Sequence, residues 1–192
     1  MRCLTLWPEW AWAICYLGKP WENRPRPASW YGIQPGVPFA IHGGAHLGGR
    51  SGLPATLEGL EAVKRMAIRA GVTAIRSDLH GPNPSLGIPG EGGYHLLSAR
   101  RYPAQSVVAV VTLDRCEWNG GEQRVELRDA LARDASEGWR VPGQYGFHLV
   151  DVRVLPTPIS CTVAEYPGNR QGLWTLPHEV EAKVRASLPR AA

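Results

Sequence analysis

The chain is poor in lysine: three Lys stand against 18 Arg among its 192 residues. It has four cysteines, and no two of them form a CxxC pair. That spacing argues against a zinc ribbon and against a disulfide scaffold, so reduced thiols and a cytoplasmic setting are expected. No apolar run approaches the roughly 18 to 20 residues that a membrane-spanning helix needs, so no membrane partner is expected. The first residues, MRCLTLWPEWAWAICYLG, have no basic start followed by an apolar run and a small-residue cleavage site, and Glu9 interrupts them. They read as part of the fold. No internal repeat or domain linker is visible, and the length suits one domain.

What is present is apolar and turn-rich. Hydrophobic residues make up 44% of the chain, with eight Trp, 22 Gly and 17 Pro, which excludes disorder and a plain helical bundle. The net charge is +4, carried by arginine. A guanidinium presents a planar fork suited to phosphate and stacks on rings, so this balance points weakly to nucleic acid. A GC-rich coding sequence would give the same excess.

Residues 3–7 alternate as a strand. Pro8 fits the first turn of a helix over Glu9 to Leu17, and Gly18 supplies its left-handed stop. Residues 20–24 resume in extended form, and Pro25 and Pro27 hold the chain out of a helix. A strand over 37–44 runs into the glycine-rich HGGAHLGGRSG. The stripe Leu57, Leu60, Val63, Ala67 and Ala70 predicts a helix over 56–70. Gly and Pro dominate 81–93, which reads as a long surface loop or lid. Strands are expected at 106–116, 145–155 and 172–176, and an amphipathic helix from Pro177 through Leu188. Residues 122–138 fit a charge-laced helix or a mobile segment. The pattern is α+β: a small mixed barrel with flanking helices and one insertion over about 45–100.

The stretch LGKPWENRPRP, residues 17–27, carries the chemistry. In an extended segment Glu22 and Arg24 share a face, and Lys19 can fold over it from the preceding turn. A carboxylate between two cations can accept from a base amine or orient a water. Arg24 can clamp a phosphate bidentately, and Lys19 can neutralise developing negative charge. The alternative is a structural ion pair that fixes the helix-to-strand turn.

Five tryptophans (7, 10, 12, 21 and 30) fall within 24 residues. Trp21 and Trp30 flank the charged turn and are the candidates to stack on a base. His42 and His46 frame Gly43-Gly44-Ala45. Two glycines make a metal-binding helix implausible there, while a turn of consecutive N–H groups could take an anion. Asp114 and Glu117 flank Cys116 at a strand end, where paired carboxylates could hold Mg²⁺ or Mn²⁺. Surface carboxylates at strand ends are commoner, and no metal ligand is assigned.

In order, LTLWPEWAWAICYLGKPWENR, PFAIHGG, VVAVVTLDRC, YGFHLVDVRVLPTPISC and RQGLWTLP resemble the ASCH domains of the PUA-like superfamily, over roughly half the chain. Lys19, Glu22 and Arg24 match the Lys-x-x-Glu-x-Arg part of the family signature. The preceding Gly18 is one residue closer to the lysine than the pattern has it. The resemblance implies a single ASCH domain over 1–192 with a five- or six-stranded barrel and a cleft beside the Lys19/Glu22/Arg24 turn. It also implies a ligand, RNA or a modified nucleoside or nucleotide. Some ASCH proteins are ribonucleases, and one branch removes the acyl group of N4-acylated cytidine. That branch uses a threonine where this chain has Glu22.

The expected function is RNA or nucleotide binding. A hydrolase using the same cleft and a protein-binding adaptor are the alternatives. Lys19 and Glu22 are the candidate catalytic pair. Trp21, Arg24, Arg26, Trp30 and His42 are the candidate ligand-binding residues. No cofactor is expected, and a divalent metal enters only for a nuclease.

Overall fold

The computed structural model describes residues 1–44, 63, 65–66, 105–120, 138–162, 165 and 172–188. Strand β1 (Arg2–Leu6) leads through Trp7 into helix α1 (Pro8–Tyr16). Pro8 opens the helix, where its missing N–H has no intrahelical partner to lose, and the Trp7 carbonyl accepts from Trp10 and Ala11. Gly18 stops it at φ 64°, in the left-handed region, and this fold-back lets the Lys19 N–H reach the Ala13 carbonyl at 3.2 Å. Strand β2 (Trp21–Arg24) follows, then a 3-10 turn over Ala28–Tyr31 and strand β3 (Pro38–Gly43). Two long strands come next, β4 (Ser106–Asn119) and β5 (Gln144–Ser160). Strand β6 (Leu173–Thr175) and helix α2 (His178–Ser187) complete the described elements.

The six strands form one sheet in the order β2-β5-β4-β3-β1-β6. Every pairing is antiparallel except β1 with β3, whose crossover carries α1 and β2. The architecture is α+β, and the sheet curls into a half-barrel. Strands β2 and β6 are its two edges, yet the Arg24 side chain on β2 donates from Nη2 to the Thr5 carbonyl on β1 at 3.0 Å. The curl therefore brings one edge back over the far side of the sheet.

Each face has its own core. The concave face packs Leu4, Leu6, Phe39, Ile41, Val111, Leu113 and Phe147 against Ala11, Ile14 and Cys15 of α1. The convex face packs Cys3, Ala40, Val110 and Leu155 against Val180 and Val184 of α2. The alternation follows the period of two along β1 and β3, while bulges shift it along β4 and β5, so that the adjacent Val108 and Ala109 both join the concave core. Burying a single Leu or Phe in such a core is worth roughly 1.5 to 3 kcal/mol.

Of the expected helix over 56–70, Val63, Arg65 and Met66 are described, all three helical, with Val63 buried. The rest of that helix, the 81–93 loop, nearly all of 122–138 and the bounds of the 45–100 insertion lie outside the described residues. Among the described residues no helix is long and apolar enough to cross a membrane. No cysteine is in a disulfide; Cys3, Cys15 and Cys161 are buried and Cys116 is half-buried.

Candidate functional site

Strand alternation places Glu22 and Arg24 on one face, as the sequence pattern implied, and that face is the concave one. Glu22 is opposite the core residue Phe147 in the β2–β5 register. The fold-back at Gly18 turns Lys19 onto the same face. Its Nζ donates to Glu22 Oε2 at 2.8 Å and lies 5.4 Å from the centre of the Trp10 ring. Glu22 Oε1 is 3.1 Å from Arg24 Nε. That contact is an ion pair and not an aligned hydrogen bond, since the buried Nε meets no acceptor along its N–H. The Arg24 guanidinium is 6.0 Å from the Tyr31 ring. The result is a continuous chain from Trp10 through Lys19, Glu22 and Arg24 to Tyr31.

This chain runs inward. Lys19 is 1% exposed and Glu22 is 7% exposed. Burial pushes the Lys19 ammonium below its ordinary pKa, and Arg24 adds to this; the charge and hydrogen bond of Glu22 oppose both. The candidate catalytic pair is thus closed off from solvent, while Trp10, Arg24 and Tyr31 on either side of it are partly exposed. Arg24 Nη1 makes no hydrogen bond to a described residue.

Trp21 does not join this group. The alternation that turns Glu22 inward turns Trp21 to the convex face, where it is buried under Arg140 and Arg115, 4.6 and 5.2 Å from its ring. Its ring also lies 4.6 Å from that of His148, its register partner. Asn23 fastens this cover, donating to the Trp139 carbonyl at 2.8 Å and accepting from the Val141 N–H at 2.9 Å.

His42 is not at the surface either; it is held in the convex core. Its Nε2 is 3.1 Å from the Cys161 carbonyl, which can only accept, so Nε2 carries the proton. Nδ1 then accepts from the Thr5 hydroxyl at 3.2 Å, and that hydroxyl accepts from Trp174 Nε1 at 2.9 Å. With both nitrogens bonded, burial lowers the pKa from 6.5 to about 4. The ring thus offers a ligand no exposed donor. Of the backbone N–H groups expected to form an anion turn, that of Gly44 donates to the Leu6 carbonyl at 2.7 Å, and Ala45 and His46 lie outside the described residues.

Arg26 and Trp30 do lie at the surface near Arg24. Arg26 is exposed and makes no ion pair with a described residue. Trp30 is 68% exposed, its ring edge-on to Tyr31 at 5.1 Å. Asp114 and Glu117 do not pair with each other. Arg115 bridges them at 2.5 and 2.7 Å, and among the described residues no group of three metal-ligating side chains forms.

Three features escaped the sequence reading. Tyr31 stacks beside Arg24, though it follows Trp30 directly. Tyr145 and Trp118 fall in line with Arg24 across three strands, which only the register reveals. The third is a register shift between Leu113 and Arg115: β4 advances two residues where β5 advances one. Such a bulge sets Asp114 and Arg115 together against His148, with Asp114 Oδ2 2.9 Å from His148 Nδ1. Hydrogen bonds from His148 and then Arg115 hold the Asp114 carboxyl below its ordinary pKa.

No protein-family model matches the chain, and no curated protein matches it. Among solved structures it is similar to the crystal structure of ASCH from Zymomonas mobilis, at 14% identity and a TM-score of 0.45. The match covers 98% of this chain and 95% of that one. At that identity no residue role passes from one chain to the other.

Proposed function

We propose that the protein is an ASCH-like RNA-binding module that takes single-stranded RNA, or a modified nucleotide within it, at the mouth of the half-barrel. The observation that carries this is the fixation of Arg24. Glu22 and the Thr5 carbonyl hold two of its nitrogens, Tyr31 backs the plane, and Nη1 is left for an incoming oxyanion. Ordering a guanidinium in advance spares the entropy of immobilising it on binding. Arg26 supplies a second phosphate contact, and the exposed Trp30 a face for a base. Lys19 and Glu22 act in this reading as the anchor of Arg24.

Phosphate contacts release counterions, so affinity for a single strand falls with salt by about 0.7 log units per contact per decade of salt. Binding of fluorescent single-stranded RNA measured over a salt series tests the proposal. Arg26→Gln is expected to weaken binding and lower that slope by about 0.7. RNA that fails to bind at low salt, or binds with no salt dependence, would sink it.

A hydrolase reading draws on one observation, the buried Lys19 ammonium with a lowered pKa hydrogen-bonded to a carboxylate. It predicts turnover of RNA or of an acylated cytidine by the wild type that Lys19→Met and Glu22→Gln abolish. Equal turnover in all three removes both residues from any mechanism.

A further inference from the structure

The residues beside Arg24 continue the candidate surface across the sheet. In strand register Arg24 faces Tyr145, and Tyr145 faces Trp118. Residues paired in this way project from one face, and the Tyr145 and Trp118 rings are 4.9 Å apart at 60°. Two strand spacings put the Trp118 backbone about 10 Å from that of Arg24. The next row inward is Glu22, Phe147 and Cys116, and it is covered. Tyr31 packs edge-on against Phe147 at 5.8 Å, and the Ala28 N–H points at Cys116 Sγ at 3.4 Å. The 3-10 turn therefore closes the half-barrel up to that row, and Arg24, Tyr145 and Trp118 form its lip. Trp118 remains 54% exposed on this lip despite its contact with Tyr145.

An exposed indole, braced by a second ring and in line with an arginine, is suited to stacking on an unpaired base. Among the described residues, Arg24 stands at one end of the row and Arg26, exposed and without a described ion-pair partner, lies beyond it. We infer that Trp118, braced by Tyr145, is a second base-stacking position, so that the ligand is a single strand of at least two nucleotides and not a free nucleoside. This rests on the RNA-binding reading above and extends it by a second contact. A duplex is not the expected ligand, because its bases are already stacked on one another and offer Trp118 no free face.

The test compares wild type, Trp118→Ala and Trp118→Tyr for binding of a seven-nucleotide single-stranded RNA, the same sequence as a duplex, and the four mononucleotides. Trp118→Ala is expected to weaken the heptamer about tenfold, and Trp118→Tyr to restore it to within about threefold. Mononucleotide binding should be unchanged. Heptamer affinity equal in Trp118→Ala and wild type overturns the inference and leaves the Arg24 contact standing. So does an equal loss for heptamer and mononucleotide, or a duplex bound as tightly as the single strand. A wild type that is dimeric in sedimentation, with a monomeric Trp118→Ala, overturns it by giving this face to a second copy of the chain. Failure of the wild type to bind any of these RNAs overturns both readings.

Discussion

Acidification from pH 7 to pH 5 should destabilise the protein by about 2 kcal/mol through His42 alone. The ring is neutral in the fold, with Nε2–H donating to Cys161 and Nδ1 accepting from Thr5, and its pKa falls from 6.5 to about 4. A proton on Nδ1 would meet a hydroxyl that already accepts from Trp174. That hydroxyl would have to turn its own hydrogen away into a core lined by Cys3 and Ala40. The unfolded chain takes up this proton near pH 6.5 and the folded chain only near 4. Between these values the unfolded state binds more protons, so stability falls as pH falls. At pH 5 the ratio of the two binding polynomials is about 30, which is about 2 kcal/mol.

Urea unfolding at pH 7, 6 and 5 measures this, with His42→Gln as the reference. The variant should be less stable at pH 7 yet lack this part of the slope. The window avoids the carboxylates whose pKa is lowered in the fold, Asp114, Glu165 and Glu181. Their stabilisation is present above the unfolded carboxylate pKa, about 4, and is lost only below it. The other histidines contribute equally to wild type and variant and cancel in the difference. A pH slope that is the same in both proteins would refute the burial argument for His42.

Two further expectations concern the faces of β2. Glu22→Ala removes the partner of a buried ammonium and should cost about 3 kcal/mol in urea unfolding, whereas Lys19→Met combined with Glu22→Leu should cost clearly less; additive costs would show that the pair is not coupled. Gly146→Ala would place a Cβ 2.9 Å from Trp21 Cε3 beneath the Arg140 cover, and overpacking of this kind costs about 1 to 3 kcal/mol, read as a lowered urea midpoint at unchanged m-value.

Much of the fold was legible because its signals are local. Pro8 and Gly18 bracket α1, and the period of two marks β3, β4 and β5. The ends of the long strands were not legible. Strand β4 runs on through Glu117 to Asn119 and β5 to Ser160, into polar or proline-bearing residues that lose their strand pattern but keep a partner across the ladder. The grouping of Glu22 with Arg24 came from alternation. The grouping of Trp21 with them came from closeness in sequence, and the same alternation separates it from them. His42 was set apart from the core by the glycines after it, although the Pro38-Ala40-His42 alternation already places it beside the convex-face Ala40. Tyr145 and Trp118 carry no local signal of a shared row. Register across β2, β5 and β4 is a property of the folded sheet.

Arg24 links these observations. Among the described strands the sheet does not close by pairing, since β2 and β6 are both edges. Its curl is instead bridged by one side chain, from β2 through Arg24 Nη2 to the Thr5 carbonyl, and Thr5 is also the hydroxyl that orients His42. The buried Lys19–Glu22 pair has a purpose in this setting beyond net stability, where such pairs contribute little. Through the Glu22 Oε1–Arg24 Nε contact it restrains the guanidinium that makes the bridge, whose Nη1 has no hydrogen-bond partner among the described residues. Loss of RNA binding in an Arg24 variant would therefore mix loss of a contact with loss of curvature. Arg26 and Trp118 make no such bridge among the described residues: one is exposed without a described ion-pair partner, and the other is half exposed on the lip. On the RNA-binding proposal, variants at these two positions test the ligand contact alone, and variants at Lys19, Glu22 and Arg24 test it together with the frame.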